Sequence, residues 1–130
     1  MSKFLLDTDV IIWHLRGRPE VTKTLRDLQA FSVPCCSALS ILEVRVGMKK
    51  GEEQKTDLFL GSLAVFDVTR QIADRAADLI REQKVKGVTL DLPDAVIAGT
   101  CMLHDLTLVT YNTKHYPMEE LKFHTLPPLG

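Results

Sequence analysis

Apolar residues in this chain fall into short continuous runs, and between the runs they recur every third or fourth position. The runs at residues 3–7 (KFLLD), 31–37 (FSVPCCS), 64–68 (AVFDV), 106–110 (LTLVT) and 121–125 (LKFHT) read as strands. Pro34 marks either the start of the second strand or an irregularity in it. The segments between have helical spacing. Residues 9–16 are closed by RGRPE, and residues 20–30 carry Val21, Leu25 and Leu28 on one side. A third helix, capped by Ser37 or Ser40, runs to Met48 with Leu39, Leu42 and Val46 at helical spacing. After a polar break at 49–55 come helices at 55–63 and 71–84, the latter with a stripe of Ile72, Ala76, Leu79, Ile80 and Val85. A loop at 87–94 leads into a small-residue helix at 95–104. Strands alternating with helices predict an α/β sandwich around a central, mainly parallel sheet.

Length and composition narrow this picture. A chain of 130 residues is expected to form one domain over 1–130, large enough to bury a core without staples. With 45% hydrophobic and 25% charged residues it has ordinary globular composition, and no apolar run approaches the roughly 20 residues that span a bilayer, so no membrane partner is expected. Asp7 and Asp9 interrupt the apolar stretch near the N-terminus, which is not the pattern of a signal peptide. Cys35, Cys36 and Cys101 are an odd number without a Cys-x-x-Cys, as expected of free thiols in a reducing cytoplasm. The net charge of −1 lacks the basic excess of most nucleic-acid binders, so any such role must rest on a local patch.

Asp7 raises the chemical question, because it closes a buried strand. An ionised carboxylate withdrawn from water must be hydrogen-bonded, paired or bound to a cation. In open parallel sheets, ligands bind beyond the carboxyl ends of the strands. Asp7 ends the first strand, and Glu43 lies about two turns into the helix after the second. Asp94 opens the helix before the fourth strand, and Asn112 follows that strand. These four oxygen-bearing residues are expected to converge at one edge of the sheet. Carboxylates so gathered repel one another unless a cation sits among them. Hard oxygen donors with no His or Cys cluster select Mg²⁺ or Mn²⁺ over Zn²⁺.

At these residues the sequence resembles the PIN-domain family, and within it the VapC-type toxin ribonucleases. LLDTDVII resembles the family's opening strand with Asp7 as its first acid, and SALSILEVRVG (37–47) its second motif with Glu43. DAVIAGT (94–100) resembles the third, an Asp opening an alanine-rich helix, and LVTYNTKHY (108–116) the fourth, a Thr-x-Asn followed by an aromatic. The motifs come in the family's order across residues 4–116, with Asn112 where an acid often stands. The resemblance implies a three-layer sandwich and Mg²⁺-dependent endonucleolytic cleavage of RNA leaving a 3′-hydroxyl, with Mn²⁺ able to substitute. It implies that Asp7 and Asp94 hold the metal most directly and that Glu43 completes the cluster or orients its water. It also implies a toxin homodimer and a VapB-like antitoxin whose tail covers the acidic pocket.

Other residues border this site. Arg45, Lys49, Lys50 and Lys114 form a candidate basic rim suited to a polyanion. Asp91 is either a cap or a further ligand, and His115, three residues after Asn112, is placed to touch the site. Val10, Ile11, Trp13 and Leu15 cannot all face one core stripe, so some are expected to line a dimer contact or a groove for an antitoxin segment. Two alternatives remain at this point: a PIN nuclease of RNA processing, and a PIN module that binds RNA or protein without cutting.

Overall fold

The described residues form five strands interleaved with six α-helices: β1 (Lys3–Leu6), α1 (Thr8–Leu15), α2 (Pro19–Gln29), β2 (Cys35–Ser37), α3 (Ala38–Val46), α4 (Glu53–Leu60), β3 (Ala64–Phe66), α5 (Arg70–Val85), α6 (Leu92–His104), β4 (Leu106–Val109) and β5 (Lys122–His124). The structure is a computed structural model that describes residues 3–130. All strand pairs are parallel, and the order across the sheet is β3-β2-β1-β4-β5. The chain therefore builds outward from β1 on one side, then returns to place β4 on the other. The switch point lies between β1 and β4, where an open parallel sheet offers its binding crevice.

Alternate side chains of the central strands serve two cores. Leu5, Leu106 and Leu108 pack with Ala76, Leu79, Ile97 and Ala98 of α5 and α6. Leu6, Cys36 and Val109 pack on the other face with residues of α1 to α4, among them Val10, Ile11, Val21, Leu25 and Val44. The result is the expected three-layer sandwich, with a wholly parallel sheet. No helix among the described residues is long and apolar enough to cross a membrane. All three cysteines are free and buried.

Local chemistry sets the boundaries. Asp7 is not the last residue of β1 but the N-cap of α1, its Oδ1 accepting the Thr8 N–H at 2.8 Å. Ser37, not Ser40, caps α3 by accepting the Leu39 N–H at 3.1 Å. The helix bearing Asp94 starts at Leu92, with Pro93 in its first turn, earlier than the apolar spacing predicts. Two expected stripes are corrected. Val85 is 89% exposed, and Gln83 takes the buried place in α5. Leu42 and Val46 of α3 are 59% and 79% exposed, because the helix turns Ser40 and Val44 inward instead. Apolar residues surround that short helix, so spacing alone did not fix which side is buried.

Candidate active site

The depression beyond the carboxyl ends of β1 and β4 is lined by Glu43, Asp91, Leu92, Pro93, Asp94 and His115, with Asp7 buried beside it. Asp7 reaches this place because β1 is central and short, so its first residue beyond the ladder lies next to Thr110, the residue after β4. The Asp7 N–H still bonds the Val109 carbonyl at 3.0 Å, which fixes the carboxylate at the edge of the sheet.

Three donors hold the Asp7 carboxylate. Oδ1 accepts from the Thr8 N–H at 2.8 Å. Oδ2 accepts from the Thr110 hydroxyl at 2.9 Å and the Tyr116 hydroxyl at 2.7 Å. Glu43 stands across the depression, half-buried, its Oε1 accepting from Thr8 Oγ1 at 2.7 Å. Thr8 Oγ1 also shares a hydrogen bond with the buried Ser40 hydroxyl at 2.9 Å. Thr8 thereby links the first acid to the second, its N–H on Asp7 and its hydroxyl on Glu43.

Asp94, in the first turn of α6, is half-buried and faces Asp7. Burial and the charge of Asp7 push its carboxyl above the usual range, while the neighbouring His115 and the Tyr116 hydroxyl act the other way. The His115 Nδ1 lies 3.7 Å from Asp94 Oδ2. Asp9 is a further carboxylate in the neighbourhood, pushed up to about 6 by burial and by Asp7 despite accepting the Val10 and Tyr111 N–H groups at 2.8 and 2.9 Å. A like-charge cluster that raises its own members' proton affinity is also one that attracts a cation. Among the described residues no three His, Cys, Asp or Glu already close into a cage. Mg²⁺ does not need one, since it keeps several waters and takes one or two protein carboxylates, so the all-oxygen donor set fits that ion.

The other expected site residues fall at different distances from this centre. Asn112 is exposed and joins through its backbone, its N–H donating to Thr110 Oγ1 at 3.0 Å and its carbonyl accepting from the His115 N–H at 2.9 Å. Asp91 occupies the N-cap position of α6 without a capping side-chain bond and lines the depression instead. Arg45 points to α4, where it pairs with Asp57. Lys49 lines a separate groove between α1, α3 and α4, formed with Ile12, Leu15, Arg16, Val44, Met48 and Glu52. Lys50 and Lys114 are exposed, the latter in a single 3₁₀ turn, Thr113–His115. Trp13 is half-buried against the second core, the Arg18 guanidinium 5.1 Å from its ring centre.

Thr8, Asp9, Thr110 and Tyr116 carry much of this geometry, and the sequence reading gave none of them a site role. The second acid of the LLDTDVI motif and the Thr of LVTYN were the available signals.

Comparison with known proteins agrees with this architecture. A family model described as PIN domain matches residues 4–121. The chain is 35% identical over 119 residues to Ribonuclease VapC10 of Mycobacterium tuberculosis, covering 91% of this chain and 90% of that protein. A solved toxin–antitoxin complex from Klebsiella pneumoniae contains a chain 34% identical, with a TM-score of 0.79, covering 95% of this chain and 97% of that one. The fold also matches a chain of VapBC2 from Rickettsia felis, solved bound to a promoter DNA fragment, with a TM-score of 0.86 at 23% identity over 97% and 100% of the two chains.

Proposed function

We propose that this chain, which belongs to the PIN-domain family, is a metal-dependent endoribonuclease toxin of the VapC type, held in check by a cognate antitoxin. The observation that carries this reading is the meeting of Asp7, Glu43 and Asp94, from three separate segments, at the switch point of the parallel sheet. Asp7 and Asp94 are the residues that would hold Mg²⁺ or Mn²⁺. When bound, the ion lowers the pKa of water and neutralises charge that grows on the phosphate oxygens. Glu43, fixed by Thr8, orients the attacking water and receives its proton. No side-chain nucleophile is required, and the products are those of hydrolysis leaving a 3′-hydroxyl. Lys49, Lys50 and Lys114 supply positive charge to the approaching RNA backbone.

The partner belongs to the same reading. Ile12 and Leu15 of α1 do not enter the core fully but line the groove with Val44 and Met48, rimmed by Arg16, Lys49 and Glu52. An amphipathic antitoxin segment laid in that groove lies along α3, the helix that carries Glu43, and its continuation brings a cation to the acidic cluster. The exposed Leu42 and Val46 support a homodimer contact through α3.

The test is cleavage of total RNA by the purified chain. Asp7→Asn, Glu43→Gln and Asp94→Asn are each expected to abolish Mg²⁺-dependent cutting; Glu43→Gln and Asp94→Asn relieve repulsion and are expected to melt at the wild-type temperature or above, whereas Asp7→Asn also loses carboxylate hydrogen bonds and is expected to melt below it. EDTA is expected to stop the wild type. Wild-type rates in two of the three variants would overturn the site assignment, and full activity in EDTA would overturn the metal mechanism.

A further inference from the structure

A carboxylate has about four in-plane acceptor positions, two on each oxygen. At Asp7 three are taken: one on Oδ1 by the Thr8 N–H, and both on Oδ2 by the Thr110 and Tyr116 hydroxyls at 2.9 and 2.7 Å. One position is left, on Oδ1. Thr110 also lies 3.4 Å from Asp9 Oδ1, but its single proton goes to the nearer Asp7 oxygen. Tyr116 is fixed in turn. Its ring is 3% exposed, within the core formed by α5, α6 and β4, and set edgewise to Phe123 at 6.3 Å between centroids. Its hydroxyl also lies close enough to Asp94 to act on that carboxyl, but its hydrogen bond goes to Asp7 Oδ2 at 2.7 Å, and a ring so held does not carry the oxygen away from it.

We propose that the Tyr116 hydroxyl is a positioning group that restricts Asp7 to one-oxygen coordination and thereby sets the site's preference for a small octahedral cation over Ca²⁺. This rests on the metal-site reading given above. The two ions differ in what they ask of a carboxylate. Mg²⁺ binds single oxygens at about 2.0–2.1 Å and keeps its waters, whereas Ca²⁺ gains from a carboxylate that offers both oxygens at about 2.3–2.6 Å. With Oδ2 saturated, Asp7 offers a single oxygen, which suffices for Mg²⁺ and withholds the bidentate contact from which Ca²⁺ gains. A phenylalanine at this position would preserve the aromatic packing and free one acceptor on Oδ2, so the choice of tyrosine has a consequence for metal selection that packing alone does not require.

The experiment uses the 130-residue chain without RNA or antitoxin, with Mn²⁺ as the probe followed by electron paramagnetic resonance, and with Mg²⁺ and Ca²⁺ as competitors. Tyr116→Phe keeps the ring and is expected to raise the Ca²⁺ to Mg²⁺ affinity ratio roughly tenfold, the order of one hydrogen bond to a charged group. Thr110→Val, which frees the other Oδ2 position from a separate residue, just after β4, is expected to shift the ratio the same way and decides the matter if Tyr116→Phe does not fold. Phe123→Leu, which disturbs the ring's packing but leaves the hydroxyl, is expected to leave the ratio near wild type. An unchanged ratio in folded Tyr116→Phe, or in Thr110→Val where that variant decides, overturns the proposal while the nuclease reading stands. Absence of divalent-ion binding by the wild type would instead overturn the metal-site reading on which it depends.

Discussion

Asp9 is a carboxylate held where its charge is disfavoured, and the consequence is measurable. Its pKa is about 6 in the folded chain against an ordinary 3.8, through burial first and the charge of Asp7 second. Between those values the folded state binds more protons than the unfolded one. The associated stability is fully present below the lower value and is lost as pH rises through the upper one. Asp9→Asn removes this titration. The difference in unfolding free energy, variant minus wild type, is expected to grow by about 1–3 kcal/mol between roughly pH 4 and pH 7.5. Urea denaturation at each pH measures it, and a flat difference would show that Asp9 is not the residue holding the proton. This scale also separates what the sequence revealed from what it hid. Asp7, Glu43 and Asp94 were legible because a carboxylate beside a buried strand or in an apolar helix contradicts its surroundings. The two hydroxyls that aim Asp7 were not assigned that role, because Thr110 and Tyr116 lie 103 and 109 positions away, and the motif LVTYNTKHY that contains them does not say which carboxylate they meet.

Helix α6 owes the position of Asp94 to how closely it lies on α5. A Cβ at Gly99 would stand 3.4 Å from the Ala76 nitrogen and the Ile72 carbonyl oxygen, the limit of ordinary contact. Gly99→Ala is therefore expected to be nearly neutral, the tight fit offsetting about 1 kcal/mol of helix propensity. Gly99→Leu forces the helices apart, is expected to cost about 1–3 kcal/mol, and lowers RNA cleavage by moving Asp94. Chemical denaturation and cleavage assays check both, and a fully stable, fully active leucine variant would contradict close packing here. On α3 the exposed Leu42 and Val46 lead to a different expectation. Leu42→Glu and Val46→Glu should leave the monomer folded and shift light scattering from dimer to monomer; an unchanged mass would exclude this face. Elements were the most legible level, since alternating strand and helix patterns mark every one of them. Their inward faces were less so wherever apolar residues ring a short helix. Helix starts set by Asp7, Ser37 and Pro93 depend on caps and first-turn residues rather than on hydrophobic spacing.

At the scale of the whole molecule the charges nearly cancel, so the RNA binding proposed above must rest on a local patch. Arg45 is engaged by Asp57, which leaves Lys49, Lys50 and Lys114 as the candidate rim. Replacing Lys49 and Lys50 with alanine is expected to reduce the slope of log affinity against log salt by about 1.4, and Arg45→Ala to change it less. Filter binding over a range of salt concentrations measures this, and an unaltered slope for the double variant would move the RNA path to another face. The sheet order has one more consequence, in time rather than in space. β1 is made early yet sits at the centre of the sheet, and β4 and the two hydroxyls on Asp7 come from the far end of the chain. On a ribosome, Asp7 waits ~5–20 s for Tyr116 at ordinary elongation rates. During that interval the nascent chain carries its acids without the two hydroxyls that aim Asp7, so under the proposed function it is expected to be inactive while still on the ribosome. A message truncated after codon 105 encodes all three acids and is expected to yield a harmless product.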